Sequence, residues 1–384
     1  LQIQRGPGVK KIRVLHCLET VGSGGVEQTR LSLVRHLDPA RYEQHLVCTK
    51  AVGGLPQQLE KAGCVIHEVG EFNGIFDRRP YKATLDVVRN FRPHIIHGAV
   101  YEGVAQAAVA GRLGRVPVII GEETSDPENR RWKGHLLYRG LAGLCHHMVG
   151  VSPAVVQYLE RTIRVPAGKV TLINNGVAEK PPAGQAELTG LRDQFGLPED
   201  SFVIGTVGRL FDEHKRVSDL IRGLSLMPSV RPDARLLIVG SGPDEAALQE
   251  LAHQLGVSER VVFAGYQADT QPFYQLMNVF ALASAHEAFG LVLVEAMFAQ
   301  LPVVATRVGG IPGVVKEGDT GYLVEPCQPQ ELARVILGLA DDAPMRRSMG
   351  DKGRERALKH FSAERYVSDV DKLYQRLLSE RKVI

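Results

Sequence analysis

Apolar positions along the chain fall into two alternating rhythms. Short, nearly continuous apolar runs at residues 12–18, 44–48, 65–69, 95–98, 116–120, 148–151 and 170–173 read as buried strands. Stretches at helical spacing separate most of them; residues 26–37, for example, place Leu31, Leu33, Val34 and Leu37 in helical register. Strands that alternate with helices predict a parallel sheet covered on both faces. The pattern stops at the polar, Pro/Gly-rich residues 178–184, then restarts with strands at 202–207, 235–239, 261–264, 279–283 and 303–305. From about residue 343 the tail is helical. Residues 361–378 form a long amphipathic helix with Tyr366, Val370, Leu373, Tyr374 and Leu377 as one stripe.

The expected architecture is therefore α/β, with two Rossmann-like domains of parallel sheet. Residues 10–177 form the first, 178–198 a linker, 199–360 the second, and 361–384 a terminal helix. A length of 384 residues suits two domains at roughly 100–200 residues each. Ligands of open parallel sheets bind beyond the carboxyl ends of the strands, so two facing sheets would enclose a cleft with the linker as hinge. Residues 1–9 read as a loose leader. No stretch resembles a signal peptide, and no apolar run reaches the ~20 residues that span a bilayer. The five cysteines (Cys17, Cys48, Cys64, Cys145, Cys327) lack metal-ligand spacing and read as reduced, mostly buried groups of a cytoplasmic protein.

Charge changes that picture slightly. Net charge is +3, but residues 1–180 carry 24 Lys and Arg against 16 Asp and Glu, while residues 181–384 carry 22 against 27. A basic first half suits an anionic partner: phosphate, acidic lipid or nucleic acid. The basic residues lack interleaved aromatics, which argues against nucleic acid.

The richest chemistry lies between the strands at 279–283 and 303–305. There, His286-Glu287-Ala288-Phe289-Gly290-Leu291 leads into a strong helix-forming run that contains Glu295. Gly290 sits at the turn, and the first N–H groups of the helix would favour an anion. Glu287 lies before the helix and Glu295 about one turn inside it, so they reach different places. A carboxylate is the natural partner of two adjacent hydroxyls on a ribose or sugar. After the strand at 202–207 come Gly208, Arg209 and, six residues later, Lys215, two cations suited to a diphosphate. Gly240 begins another tight turn after the next strand.

These motifs resemble the donor site of glycosyltransferase family 4. The E-x7-E pair Glu287 and Glu295, "GRL" with a downstream Lys, "LLIVGSGPD", "VVFAGY", "VSP" and "INNGV" stand in the family's order across most of residues 12–380. The resemblance implies a GT-B fold, a nucleotide-diphosphate sugar donor (UDP- or GDP-linked) as co-substrate, no metal or other cofactor, and retention of anomeric configuration. It puts Arg209 and Lys215 on the diphosphate, Glu295 on the nucleotide ribose and Glu287 on sugar hydroxyls, with backbone N–H groups of Phe289, Gly290 and Leu291 nearby. Tyr266 falls where the family meets the base, and Gly24-Gly25 match the loop over phosphate and sugar. The final helix would cross back to the N-terminal domain. In the loop expected at Gly121-Glu122-Glu123-Thr124-Ser125-Asp126-Pro127, Glu123 takes the place where many members carry a histidine at the donor sugar, and Ala178 replaces an aspartate after "NGV".

The two glutamates do not read as a hydrolase pair, which would flank one bond. Rate would instead come from Arg209, Lys215 and the helix N-terminus stabilising charge on the departing diphosphate. The resemblance suggests that the acceptor's proton passes to that leaving phosphate. The acceptor hydroxyl belongs to a glycan, a lipid-linked sugar or a small molecule. Three other classes share parts of this pattern: a dehydrogenase (the Gly22-Ser23-Gly24 turn lacks its third glycine, with Glu27 there), a nucleotide-sugar epimerase or phosphorylase, and a non-catalytic sugar-nucleotide-binding subunit. Asp369 and Asp371 share no helix face, His94 and His97 fall on opposite strand faces, and His146-His147 has no partner at ligand spacing. Two basic segments, one with Arg78, Arg79, Lys82, Arg89 and Arg92, the other with Arg130, Arg131, Trp132, Lys133, Leu136, Leu137, Tyr138 and Arg139, suggest peripheral contact with an anionic inner-membrane face.

Overall fold

The computed structural model describes residues 11–22, 24–74, 77–125, 132–227 and 231–383. The leader at residues 1–9, Ser23, the loop residues Asp126 and Pro127, and Arg130 and Arg131 lie outside them. Contacts divide the chain into two units: one runs to Val177 and resumes at Ala363, the other is Ala178–Ser362.

The first unit carries strands β1 (Ile12–Cys17), β2 (Thr20–Val21), β3 (Tyr42–Cys48), β4 (Lys50–Ala51), β5 (Val65–Glu68), β6 (Ile95–Ala99), β7 (Val118–Glu123), β8 (His147–Gly150) and β9 (Val170–Leu172). Seven form one parallel sheet in the order β5-β3-β1-β6-β7-β8-β9, and β2 pairs with β4 apart from it. The central strands are buried on both faces, which is why they appear in the sequence as apolar runs rather than alternations. Every expected strand is present within a few residues. The two-residue β2 and β4 are too short to show a period.

The terminal helix belongs to this unit. Residues Ala343–Phe361 form one helix, Ser362 turns the backbone to extended values, and Ala363–Glu380 forms the next. The expected helix start at 361 therefore falls at the end of the preceding helix. Its stripe is as expected: Tyr366, Val370, Leu373, Tyr374 and Leu377 are buried with Val14, Leu33, Ile95 and Val118.

Beneath that apolar seam lies a charged one. Arg30, with no exposed surface, places Nη2 2.7 Å from Glu122 Oε2. The same carboxylate oxygen is 3.1 Å from His97 Nε2, whose Nδ1 is 2.8 Å from the Tyr374 hydroxyl. Buried charge is tolerable only when paired this closely. This pairing corrects the expected loop from residue 121: β7 continues through Glu122 and Glu123, with Glu122 in register beside Ala99 and Val149.

The second unit holds β10 (Val203–Val207), β11 (Arg235–Val239), β12 (Val261–Gly265), β13 (Val279–Leu282), β14 (Val303–Thr306) and β15 (Gly321–Val324). They form a parallel sheet in the order β12-β11-β10-β13-β14-β15, the doubly wound order whose direction reverses between β10 and β13. Its core joins Ile204, Ile238, Val279 and Val304 to Leu220, Ile221, Leu332 and Ile336 from the covering helices. Residues 178–184 run without regular structure, but the helix Gln185–Gln194 stands inside the stretch read as linker. No residue of that helix is buried, so it leaves little apolar signal. Lys180 pairs with Asp269 at 2.8 Å and Glu179 with Arg354 at 2.8 Å, both within this unit. Among the described residues, no helix is long and apolar enough to cross a membrane.

Candidate active site

In the second unit Gly208, Arg209, Lys215, Glu287 and Gly290 follow the carboxyl ends of β10 and β13, the point where strand order reverses, while Gly240 and Tyr266 follow β11 and β12. The strand ends are stitched by backbone: Gly208 N–H donates to Val239 O at 3.0 Å and Gly240 N–H to Gly265 O at 2.8 Å. Gly240 sits at φ +136°, and a Cβ there would collide with the Gly208 carbonyl oxygen. This turn must be glycine. Arg209, next along, is exposed.

Lys215 ends the short helix Asp212–Lys215, which is held from both sides. Asp212 N–H donates to Asp244 Oδ2 at 2.7 Å, and Asp212 Oδ1 accepts from Ser218 N–H at 2.8 Å. The His214 carbonyl accepts from Ala285 N–H at 2.8 Å, which ties this helix to the loop after β13. That loop carries Glu287, whose Oε2 lies 2.6 Å from Lys215 Nζ. The side chains of Lys215 and Glu287 keep only 29% and 14% of their surface. An ammonium has three N–H donors and Glu287 engages one direction, so the ion pair aims the cation without exhausting it.

Gly290, at φ +90°, caps the helix Leu291–Phe298 without a side-chain cap. Its N-terminal N–H groups therefore face a glycine and a polar loop, an arrangement that favours an anion. Phe289 is buried edge-on against Phe361, ring centres 5.6 Å apart, which leaves only its backbone for the expected role; Leu291 is partly exposed. Within the same helix, Glu295 accepts from the Tyr274 hydroxyl at 2.7 Å on Oε2. Burial pushes the Glu295 carboxyl up, while the Tyr274 hydroxyl and the Lys180 ammonium oppose that rise. Tyr266, 60% exposed just after β12, offers an aromatic face at the edge of the group.

Three of the residues expected at the donor, Gly24, Gly25 and Glu123, lie in the first unit. Gly24 is the N-cap of the helix Gly25–His36 and has no side-chain cap of its own. Glu27 folds back so closely that a Cβ on Gly24 would meet its carboxylate, the arrangement of a capping box. Burial pushes the Glu27 carboxyl up, against backbone N–H groups that include Gly22 and Gly24. Glu123 is buried, with Oε1 accepting from Thr124 N–H at 3.1 Å, Ser125 N–H at 3.0 Å and Ser125 Oγ at 2.5 Å.

Tyr274 and Glu122 escaped sequence reasoning, because their partners stand 21 and 92 residues away. Glu27 had a visible signal, an acidic residue three positions after a helix cap. The discounted groups have structural partners: Asp369 pairs with Arg365, Asp371 with Tyr42 and Arg41, and His147 with Thr171. Among the described residues, no three metal-ligating side chains gather.

Two doubly wound parallel sheets with a returning C-terminal helix define a fold of the GT-B type. Residues 23–180 match the family described as Glycosyltransferase Family 4, and residues 189–356 match Glycosyl transferases group 1. The chain is 28% identical to an N-acetyl-alpha-D-glucosaminyl L-malate synthase of Bacillus anthracis, over 95% of this chain and 97% of that one. It is 35% identical to the lipopolysaccharide core biosynthesis glycosyltransferase LpsE of Rhizobium meliloti, over 45% of this chain and about half, 49%, of the relative. Among solved structures, the Anabaena HepE protein in complex with UDP-glucose superposes with a TM-score of 0.85 at 21% identity, covering 95% of this chain and all of that one. The chain belongs to glycosyltransferase family 4 and is a glycosyltransferase.

Proposed function

We propose that this enzyme moves a sugar from a nucleoside-diphosphate sugar to an acceptor hydroxyl with retention of anomeric configuration, without a metal, in the synthesis of a glycoconjugate. The observation that carries the reading is the Lys215–Glu287 pair at the reversal point of the second sheet. Glu287 holds the cation toward the diphosphate and keeps its other oxygen for sugar hydroxyls. Glu295 takes the ribose diol, Tyr266 the base, and the N-terminus of Leu291–Phe298 the phosphate charge. As the glycosidic bond breaks, negative charge grows on the departing diphosphate, where Arg209, Lys215 and that helix terminus stabilise it. The acceptor's proton is then free to pass to the leaving phosphate.

A uridine donor is favoured because the HepE structure in that comparison contains UDP-glucose. A small anionic acceptor bearing a hydroxyl is supported by the malate named in the relative that matches nearly end to end. The test is proton NMR of the first-formed product: the anomeric coupling of the donor sugar is expected to persist. Inversion would overturn the retaining reading.

A lipid-linked acceptor has its own support. The helix Trp132–Leu144 leaves Trp132 70% and Leu136 62% exposed, four residues apart, beside exposed Lys133 and Arg139. An aromatic and aliphatic pair flanked by cations suits an anionic bilayer surface. Sedimentation with phosphatidylglycerol vesicles is expected to capture the protein in low salt, and Trp132→Ala with Leu136→Ala to release it. Equal recovery with neutral vesicles would exclude such contact.

A further inference from the structure

Glu295 is held by a residue outside every motif that revealed the site. Tyr274 stands on the helix Gln271–Gln275, 1% exposed, with its ring against Phe280 of β13 at 5.6 Å between centres. Its hydroxyl donates to Glu295 Oε2 at 2.7 Å and lies 3.4 Å from the Val292 carbonyl. A phenol has one proton, and the shorter contact to an anionic oxygen claims it. Burial, with the Glu295 carboxylate beside it, holds the phenol well above its ordinary pKa, so it remains a donor throughout the neutral range.

The consequence is geometric. A glutamate on a helix has a broad terminal torsion, and its carboxylate plane is set only by what it bonds. Tyr274 fixes that plane from the core side through Oε2. Oε1 and the second lone pair of Oε2 are then left in a set orientation. Two acceptor positions on one rigid carboxylate match two neighbouring hydroxyls. We infer that Tyr274 is a positioning residue that presents Glu295 to a vicinal diol, so that recognition of ribose over deoxyribose depends on the tyrosine hydroxyl. This rests on the proposed reading of Glu295 as the ribose partner.

A tyrosine that merely filled the core would affect stability and leave the choice of sugar untouched. The test is calorimetric titration with UDP, and with GDP if UDP is not bound, beside the matching 2′,3′-dideoxynucleotide. It uses the full chain, Tyr274→Phe and Glu295→Ala. The wild-type enzyme is expected to prefer the ribonucleotide, and Tyr274→Phe to reduce that preference about tenfold, as loss of a hydrogen bond to a charged group would. Affinity for the dideoxynucleotide should stay within about twofold. If the wild type shows no preference, the ribose reading of Glu295 fails and the inference falls with it. If Glu295→Ala abolishes the preference but Tyr274→Phe keeps it, the reading stands and the role of Tyr274 is overturned. Should the phenylalanine variant unfold at assay temperature, 4-fluorophenylalanine at position 274 nearly keeps the shape and removes the donor. An unchanged preference there overturns the inference equally.

Discussion

At the scale of single residues, the candidate site is built from pairs whose members come from different elements. Lys215 and Glu287 illustrate this: either alone would be an ordinary surface charge, and together they are mostly buried and 2.6 Å apart. Lys215→Ala removes a charge that would act on the developing phosphate charge, so kcat/KM is expected to fall roughly 10²–10³-fold. Steady-state kinetics on donor sugar checks this, and a change of less than fivefold would remove Lys215 from the chemistry. Gly240 is a different kind of residue, required by backbone alone. Gly240→Ala meets both positive φ and the Gly208 carbonyl, and is expected to cost about 1–3 kcal/mol in urea unfolding. Motif spacing made Arg209, Lys215, Glu287 and Glu295 legible because each lies close in sequence to the end of β10 or β13. Arg209 and Glu287 stand in the loops, Lys215 ends a short helix and Glu295 lies one turn inside the helix Leu291–Phe298. Tyr274 was illegible, since it looks like any core aromatic until the fold brings it to Glu295.

At the scale of elements, apolar runs revealed the long central strands because both faces of those strands are buried. The helix Gln185–Gln194 was missed for the opposite reason, having no buried face to print a period. The end of β7 was misjudged because two glutamates read as a loop, whereas Arg30 neutralises the first of them inside the sheet. That buried group also makes a pH prediction. His16 on β1 stands beside it, its ring centre 6.2 Å from that of His97, and burial, reinforced by the nearby Arg30 charge, brings the His16 imidazole down from 6.5 to about 3. Burial would raise Glu122, but Arg30 and His97 outweigh it and bring the carboxyl from 4.5 down to about 2. In each case the unfolded chain binds its proton at higher pH than the folded one. Stability is therefore full above the unfolded values and is lost as pH falls from about 6.5 toward 3 for His16, and from about 4.5 toward 2 for Glu122. Urea midpoints followed from pH 7.5 to 4 should fall steadily, and a flat profile would contradict the buried arrangement. Glu122→Gln leaves Arg30 buried without its counter-charge and is expected to cost roughly 3–5 kcal/mol.

At the scale of the whole molecule, two parallel sheets were foreseeable from one alternating pattern that stops and restarts. The boundary lies at Val177 and Ala178, and the chain re-enters the first unit at Ala363, where its N–H donates to the Val177 carbonyl at 3.0 Å. That return was readable only as an amphipathic stripe whose partner the resemblance supplied. The central functional claim is that the second unit holds a nucleoside diphosphate on Arg209 and Lys215. It is tested most directly by calorimetric titration of the full chain with UDP, GDP and ADP, beside an Arg209→Ala/Lys215→Ala variant. Saturable binding of one nucleotide, UDP foremost, lost in the variant while its melting temperature is kept, is the expected result. Equal binding by the folded variant, or no binding of any of the three by the wild type, would contradict it.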